Sequence, residues 1–265
     1  MSSMSEKTRR NGPPTVVLVH GAFADGSSWN AVIERLQDKG VPVTAPANPL
    51  RGLSSDSAYI AGVLQETPGP VIAVGHSYGG AVISNAAAHA ENVIGLVFVA
   101  AFAPDKGERL GEVTAASKDA ILGSTLVPRQ YPAADGGSAV EFSIDPAKFH
   151  EAFAADLPEE QAAIMAASQR PVAEQAFSDP AGAPAWKHIP SWAVVATEDK
   201  AAGTDIVRSM AERAGATTSE VDASHVVMVS QPEAVTDAIL QAIAVTSAHG
   251  DQSWAEAFYE AYITE

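Results

Sequence analysis

The chain contains no cysteine. Disulfides, thiolate metal sites and a cysteine nucleophile are therefore excluded. Basic residues are scarce: 16 lysines and arginines stand against 32 acidic residues, for a formal net charge of −16. Such a surface repels phosphate backbones, so nucleic acid is not an expected partner. No apolar run reaches the roughly 20 residues of a membrane span. The opening MSSMSEKTRRNGPP is too polar for a signal peptide. These absences predict a cytoplasmic protein that does not enter a membrane. Aromatic residues make up only 6% of the chain, yet four of them crowd into WAEAFYEAY near its end.

What is present is a core. The 265 residues are 46% hydrophobic, enough for one large domain. TVVLVHGA, VPVTAPAN, VIAVGH, VIGLVFVAAFAP, SWAVVATEDK and TTSEVDAS read as strands. Between them lie helical stretches: DGSSWNAVIERLQDKG capped by Ser27 or Ser28, SSDSAYIAGVLQET, YGGAVISNAAAHAEN and DIVRSMAERAG, with QPEAVTDAILQAIAV last. Strands that are continuous apolar runs, alternating with helices, predict a mostly parallel sheet of about six strands covered on both faces.

The alternation breaks between about residues 105 and 190. That stretch is rich in alanine and interrupted by Pro128, Pro132, Pro146, Pro158, Pro171 and Pro180, with PEEQAAIMAASQ its clearest helix. It reads as a helical cap inserted into one domain spanning 15–248, after a disordered tail at 1–14. Residues 249–265 read as an amphipathic helix: Ser253 and Glu256 form a capping box, and Trp254, Phe258 and Tyr262 share a face. The expectation is that this helix docks on its own domain. Homodimerisation, a partner helix, or an extension foreign to the native chain are the alternatives.

Gly75-His76-Ser77-Tyr78-Gly79 places a hydroxyl between glycines where a strand turns into a helix. The five-residue pattern is weak alone; its strand–turn–helix context strengthens it. Such a turn holds the serine in strained backbone geometry and exposes its side chain above free N–H groups at the helix start. A serine hydroxyl attacks only when a base takes its proton. Of seven histidines, His225 in VDASHVVMVSQPEAV follows a short strand and opens toward the same sheet edge as Ser77. His20 reads as a support for the loop after the first strand, and the side chain of His76 should point away from Ser77. His89, His150, His188 and His249 lack a suitable setting. The carboxylate that orients the base could be Asp199, Glu198 or Asp105, since each follows a strand at that edge. The backbone N–H groups of Ala22 and Tyr78 are the candidate oxyanion donors, and Phe23, Tyr78, Phe102 and Val226 the candidate pocket walls.

With these residues in place the chain resembles the α/β-hydrolases, and more narrowly the plant methylesterase and hydroxynitrile lyase branch with its bacterial esterase relatives. VVLVHGAFADGSSW, VIAVGHSYGG, VFVAAFAPDKGE, VVATEDKA and ASHVVMVSQPEAV carry the resemblance. It implies that the acid is Asp199 and that Ser77, His225 and Asp199 hydrolyse a small, neutral, apolar carboxylic ester through an acyl-enzyme, with no metal and no organic cofactor. Lyases of this branch carry threonine at the position of Gly21 and lysine at that of Val226, which disfavours that activity here. Relatives often carry Ile-Pro shortly after TEDK, where this chain has AAGTD; Gly203 would loosen or reroute the loop of Asp199. A haloperoxidase-like perhydrolase, a lactonase and a non-catalytic ligand-binding protein are the alternatives.

Overall fold

The computed structural model describes residues 13–247. The expected helix at 249–265 and nearly all of the N-terminal tail lie outside them. Six strands form one wholly parallel sheet: β1 (Thr15–Val19), β2 (Val43–Thr44), β3 (Val71–His76), β4 (Val93–Val99), β8 (Ser191–Ala196) and β9 (Thr217–Val221). Their order is β2-β1-β3-β4-β8-β9. Every residue of β3 and β8 is buried, because these strands have neighbours on each side and helices over each face.

Helices α1 (Asn30–Asp38) and α10 (Pro232–Ser247) pack together, with α10 lying across β3, β4 and β8. Helices α2 (Leu53–Glu66) and α3 (Tyr78–Ala87) form a second pair, with α3 against β1, β3 and β4. Helix α8 (Thr204–Arg213) flanks β8. The first helical segment corrects the expected cap. It begins as a 3₁₀ turn at Gly26–Trp29, and its cap is Asp25, whose carboxylate accepts the Ser27 N–H at 2.8 Å. No helix among the described residues is long and apolar enough to cross a membrane.

The strand order creates the site's location. From β1 the chain steps outward to β2, and from β3 it steps the other way to β4. A crevice opens beyond the carboxyl ends of strands at such a switch point. The loops after β1 and β3 are HGA and GHSYG, so the two candidate oxyanion segments meet there.

The insertion is not wholly helical. Besides α4 (Leu110–Ala115), α5 (Pro146–Phe153), α6 (Glu159–Ser168) and α7 (Gln175–Ser178), it contains an antiparallel sheet. That sheet is β5 (Leu126–Pro132), β6 (Ser138–Ile144) and β7 (Val172–Ala173), in that order. Pro128 and Pro132 concealed β5, but an edge strand tolerates proline because one side of it needs no donor. The signal for β6 was present in the alternation of Val140, Phe142 and Ile144. The cap is tied down by Glu141 on β6. Its buried carboxylate accepts from Arg51 at 2.8 Å and also pairs with Arg129, while Arg51 reaches the Pro171 carbonyl at 3.2 Å.

The turn between β3 and α3 leaves no room for side chains at its glycines. A β-carbon on Gly79 would lie 2.3 Å from the Val19 carbonyl oxygen, and one on Gly75 would lie 2.5 Å from the Gly79 carbonyl. Both obstacles are backbone, one at the end of β1 and one in the first turn of α3, and cannot swing aside. Gly79→Ala is therefore expected to cost about 3 kcal/mol or more, which would lower the thermal midpoint by roughly 6–12 °C. An unchanged melting curve would contradict this packing.

Candidate active site

Ser77 sits between β3 and α3 with φ 53° and ψ −122°, a conformation a serine adopts only under constraint. Three backbone hydrogen bonds impose it. The Ser77 N–H donates to the Val99 carbonyl at 3.2 Å, and the Ser77 carbonyl accepts from Gly80 at 3.0 Å and Phe102 at 3.2 Å. Tyr78 is the first residue of α3, so its N–H has no partner within the helix. The Tyr78 hydroxyl donates to Asp56 at 2.7 Å, and Asp56 also accepts the Arg51 N–H. Burial raises the Asp56 carboxyl above its usual range, against the pull of these hydrogen bonds.

The loop after β1 is held by His20. Its Nε2 accepts the Asn48 N–H at 3.0 Å and its Nδ1 faces the Gly21 carbonyl at 2.9 Å. Burial lowers the His20 pKa, which keeps the ring neutral and able to accept. Next along, Phe23 adopts φ 62° and donates its N–H to the Arg170 carbonyl of the cap at 3.2 Å. Among the described residues, the N–H groups of Ala22 and Tyr78 find no protein acceptor. Both residues border the cavity that Ser77 borders.

His225 also borders that cavity. Its Nδ1 lies 2.8 Å from Asp199 Oδ2, and each side chain is 1% exposed. The other oxygen, Asp199 Oδ1, accepts the N–H groups of Ala201 and Ala202, both at 2.9 Å. The carboxylate is thus fixed by three donors. Gly203, at φ 92°, leads this loop into α8. The other two acids face elsewhere. Asp105 pairs with Lys187 at 2.6 Å on the surface, and Glu198 is exposed.

His76 is not among the residues bordering the Ser77 cavity, and the sequence did not reveal where it goes. Its Nε2–H donates to the His225 carbonyl at 2.9 Å, and the two rings lie with centroids 4.6 Å apart and planes tilted by 48°. Burial holds its pKa well below the usual imidazole range, and His225 adds to that, so His76 is a neutral prop beneath the His225 loop. A second prop comes from the cap. Asp156 accepts the Ser224 N–H at 3.0 Å and pairs with the Ser224 hydroxyl, one residue before His225. Asp156 lies 68 residues away from Ser224, a distance no local pattern bridges.

Of the expected walls, Phe23, Tyr78 and Phe102 border the cavity. Val226 does not. It is fully buried in the hydrophobic core, and its carbonyl accepts the Val229 N–H at 2.8 Å. The first turn of α9 (Val227–Ser230) swings it inward. The walls that sequence reasoning missed are Thr114, Leu122, Phe153 and Phe177 from the cap, and Ala201 and Ala202 from the Asp199 loop. Phe153 packs against the His225 ring at 4.9 Å between centroids. Free space in this cavity is about 10 Å³, barely one water molecule.

Residues 16–238 match the model of the alpha/beta hydrolase family. A lipase of Mycobacterium tuberculosis, LipV, is 33% identical over 125 residues, covering 43% of this chain and 46% of that protein. The match thus spans about half the length of that curated relative. Among solved structures, polyneuridine aldehyde esterase superposes with a TM-score of 0.73 at 20% identity, over 87% of this chain and 99% of that one. A methylesterase from Arabidopsis superposes with a TM-score of 0.71 at 18% identity, over 88% and 99%. At those identities the superpositions speak for the fold, and they fall in the methylesterase branch that the motifs resemble.

Proposed function

This chain belongs to the alpha/beta hydrolase family, and from that membership we propose that it is a serine hydrolase of small, neutral, apolar carboxylic esters. The observation that carries the reading is the buried His225–Asp199 pair opening onto the cavity of a strained Ser77.

Ser77 Oγ attacks the ester carbonyl while His225 Nε2 takes its proton. Asp199 holds the ring with Nδ1 protonated, leaving Nε2 free as the base, and stabilises the imidazolium that forms. The oxyanion lies between the N–H groups of Ala22 and Tyr78, each of which can contribute roughly 3 kcal/mol to the transition state. The carbonyl reforms and expels the alcohol, which takes the proton from His225. A water, deprotonated by His225, then releases the acid and regenerates Ser77. Gly21 and Val226 support hydrolysis over a lyase reaction. A β-carbon at position 21 would lie 2.8 Å from Ser77 Cβ, and Val226 supplies no positive charge for a departing anion. The net charge of −16 disfavours anionic substrates.

The experiment is hydrolysis of p-nitrophenyl acetate and butyrate before and after treatment with a fluorophosphonate. One phosphonyl group per chain, located on Ser77 by peptide mass spectrometry, should accompany loss of hydrolysis. Binding of these esters without turnover, or labelling elsewhere with activity retained, would overturn the proposal.

A further inference from the structure

The cavity at Ser77 is too small for any ester, so a wall must move before substrate enters. Several of its walls are anchored by the core: Ser77, Ala22 and Phe102 follow parallel strands, and Ala201 and Ala202 clamp Asp199. Three lie on short elements of the cap. Thr114 lies on the six-residue α4, Leu122 on a 3₁₀ turn at Leu122–Thr125, and Phe177 on the four-residue α7. These same three residues also border a second space in the cap, an open cleft of about 670 Å³. That volume falls within the roughly 300–1,000 Å³ of small-molecule sites. Ile121, Leu126 and Phe142 also line it and give it a largely apolar surface, while Arg109, Glu112 and Glu174 add charge to its lining. The dividing wall itself has no unpaired polar group, since the Thr114 hydroxyl donates to the Leu110 carbonyl at 2.8 Å.

We propose that the cleft receives the larger apolar part of the ester, and that Thr114, Leu122 and Phe177 are the gate that sets how long that part can be. This rests on the ester-hydrolase reading and adds to it a substrate class: esters with one extended apolar arm. That the two spaces share Thr114, Leu122 and Phe177 in their linings is what points to an arm of the substrate rather than to a separate ligand.

Two series of substrates test it: p-nitrophenyl esters with acyl chains of two to ten carbons, and acetates of alcohols of the same lengths. Leu122→Ala thins the gate. Gly123→Phe narrows the cleft, and the position accepts a side chain because an added β-carbon meets nothing within 4 Å. In one of the two series, Leu122→Ala should raise kcat/KM for the longest chain relative to the shortest by about tenfold. Gly123→Phe should lower the same ratio by about tenfold. Ratios unchanged in both series and both variants, with Ser77→Ala inactive, would overturn the gate and leave the hydrolase reading intact. If the wild type hydrolyses no ester, the hydrolase reading fails. Calorimetry with the anilide of decanoic acid then decides the cleft: binding by the wild type that Gly123→Phe weakens supports it, and no binding overturns it.

Discussion

Ser77→Ala is expected to reduce kcat for p-nitrophenyl esters by about 10⁶-fold, while the protein folds and melts as the wild type does. The magnitude follows from the unit behaviour of a nucleophile and its base, where removing either costs about as much as removing all. Alanine leaves no oxygen to acylate, and the base has nothing to deprotonate except water. The residual rate should be the roughly 10³-fold over water that oxyanion donors and binding alone sustain. Stability is not at stake, since the constraints on residue 77 are backbone hydrogen bonds to Val99, Gly80 and Phe102. Alanine in place of serine keeps all three. Steady-state kinetics with the melting curve alongside is the measurement. Substantial hydrolysis by Ser77→Ala would mean that the chemistry belongs to another group.

Asp199→Asn should cost about 10⁴-fold in kcat with little change in KM. The asparagine is nearly isosteric, and its oxygen can still accept from Ala201 and Ala202, whose N–H groups reach Oδ1 at 2.9 Å. Its amide nitrogen, however, then points at His225 Nδ1, where Oδ2 now lies 2.8 Å away. Two donors cannot share that contact, so the ring adopts the other tautomer, with its proton on Nε2. The base facing Ser77 becomes a donor. Asp105→Asn is the matched comparison, because Asp105 offered the same sequence context yet pairs with Lys187 at the surface. It should leave kcat unchanged. The same loss in both variants, or in neither, would remove Asp199 from its role.

Much of this protein is legible without a structure. The six parallel strands, the helices between them, the turn that holds Ser77 and the loop that holds His225 all follow from patterns a few residues long. Such patterns carry through because backbone conformation is settled locally: continuous apolar runs must be covered on both sides, and a turn as tight as GHSYG admits only glycine two residues before and two after its serine. The acid was the first point where local logic stopped, since Asp199, Glu198 and Asp105 stand alike at strand ends and only the family resemblance separated them. The cap was the second. Its sheet was hidden by the prolines of an edge strand, and its walls at the active site, Leu122, Phe153 and Phe177, carry no signature because any apolar residue would fit the local helix or turn. Tertiary packing alone decided that Val226 lies in the core, that His76 and Asp156 both bond the His225 loop, and that Thr114, Leu122 and Phe177 border both the Ser77 cavity and the large cleft. These depend on which side chains meet across long stretches of chain, such as the 90 residues between Arg51 and Glu141. Contacts of that range arise only when the whole core has packed, and that packing fixes the space a substrate can occupy.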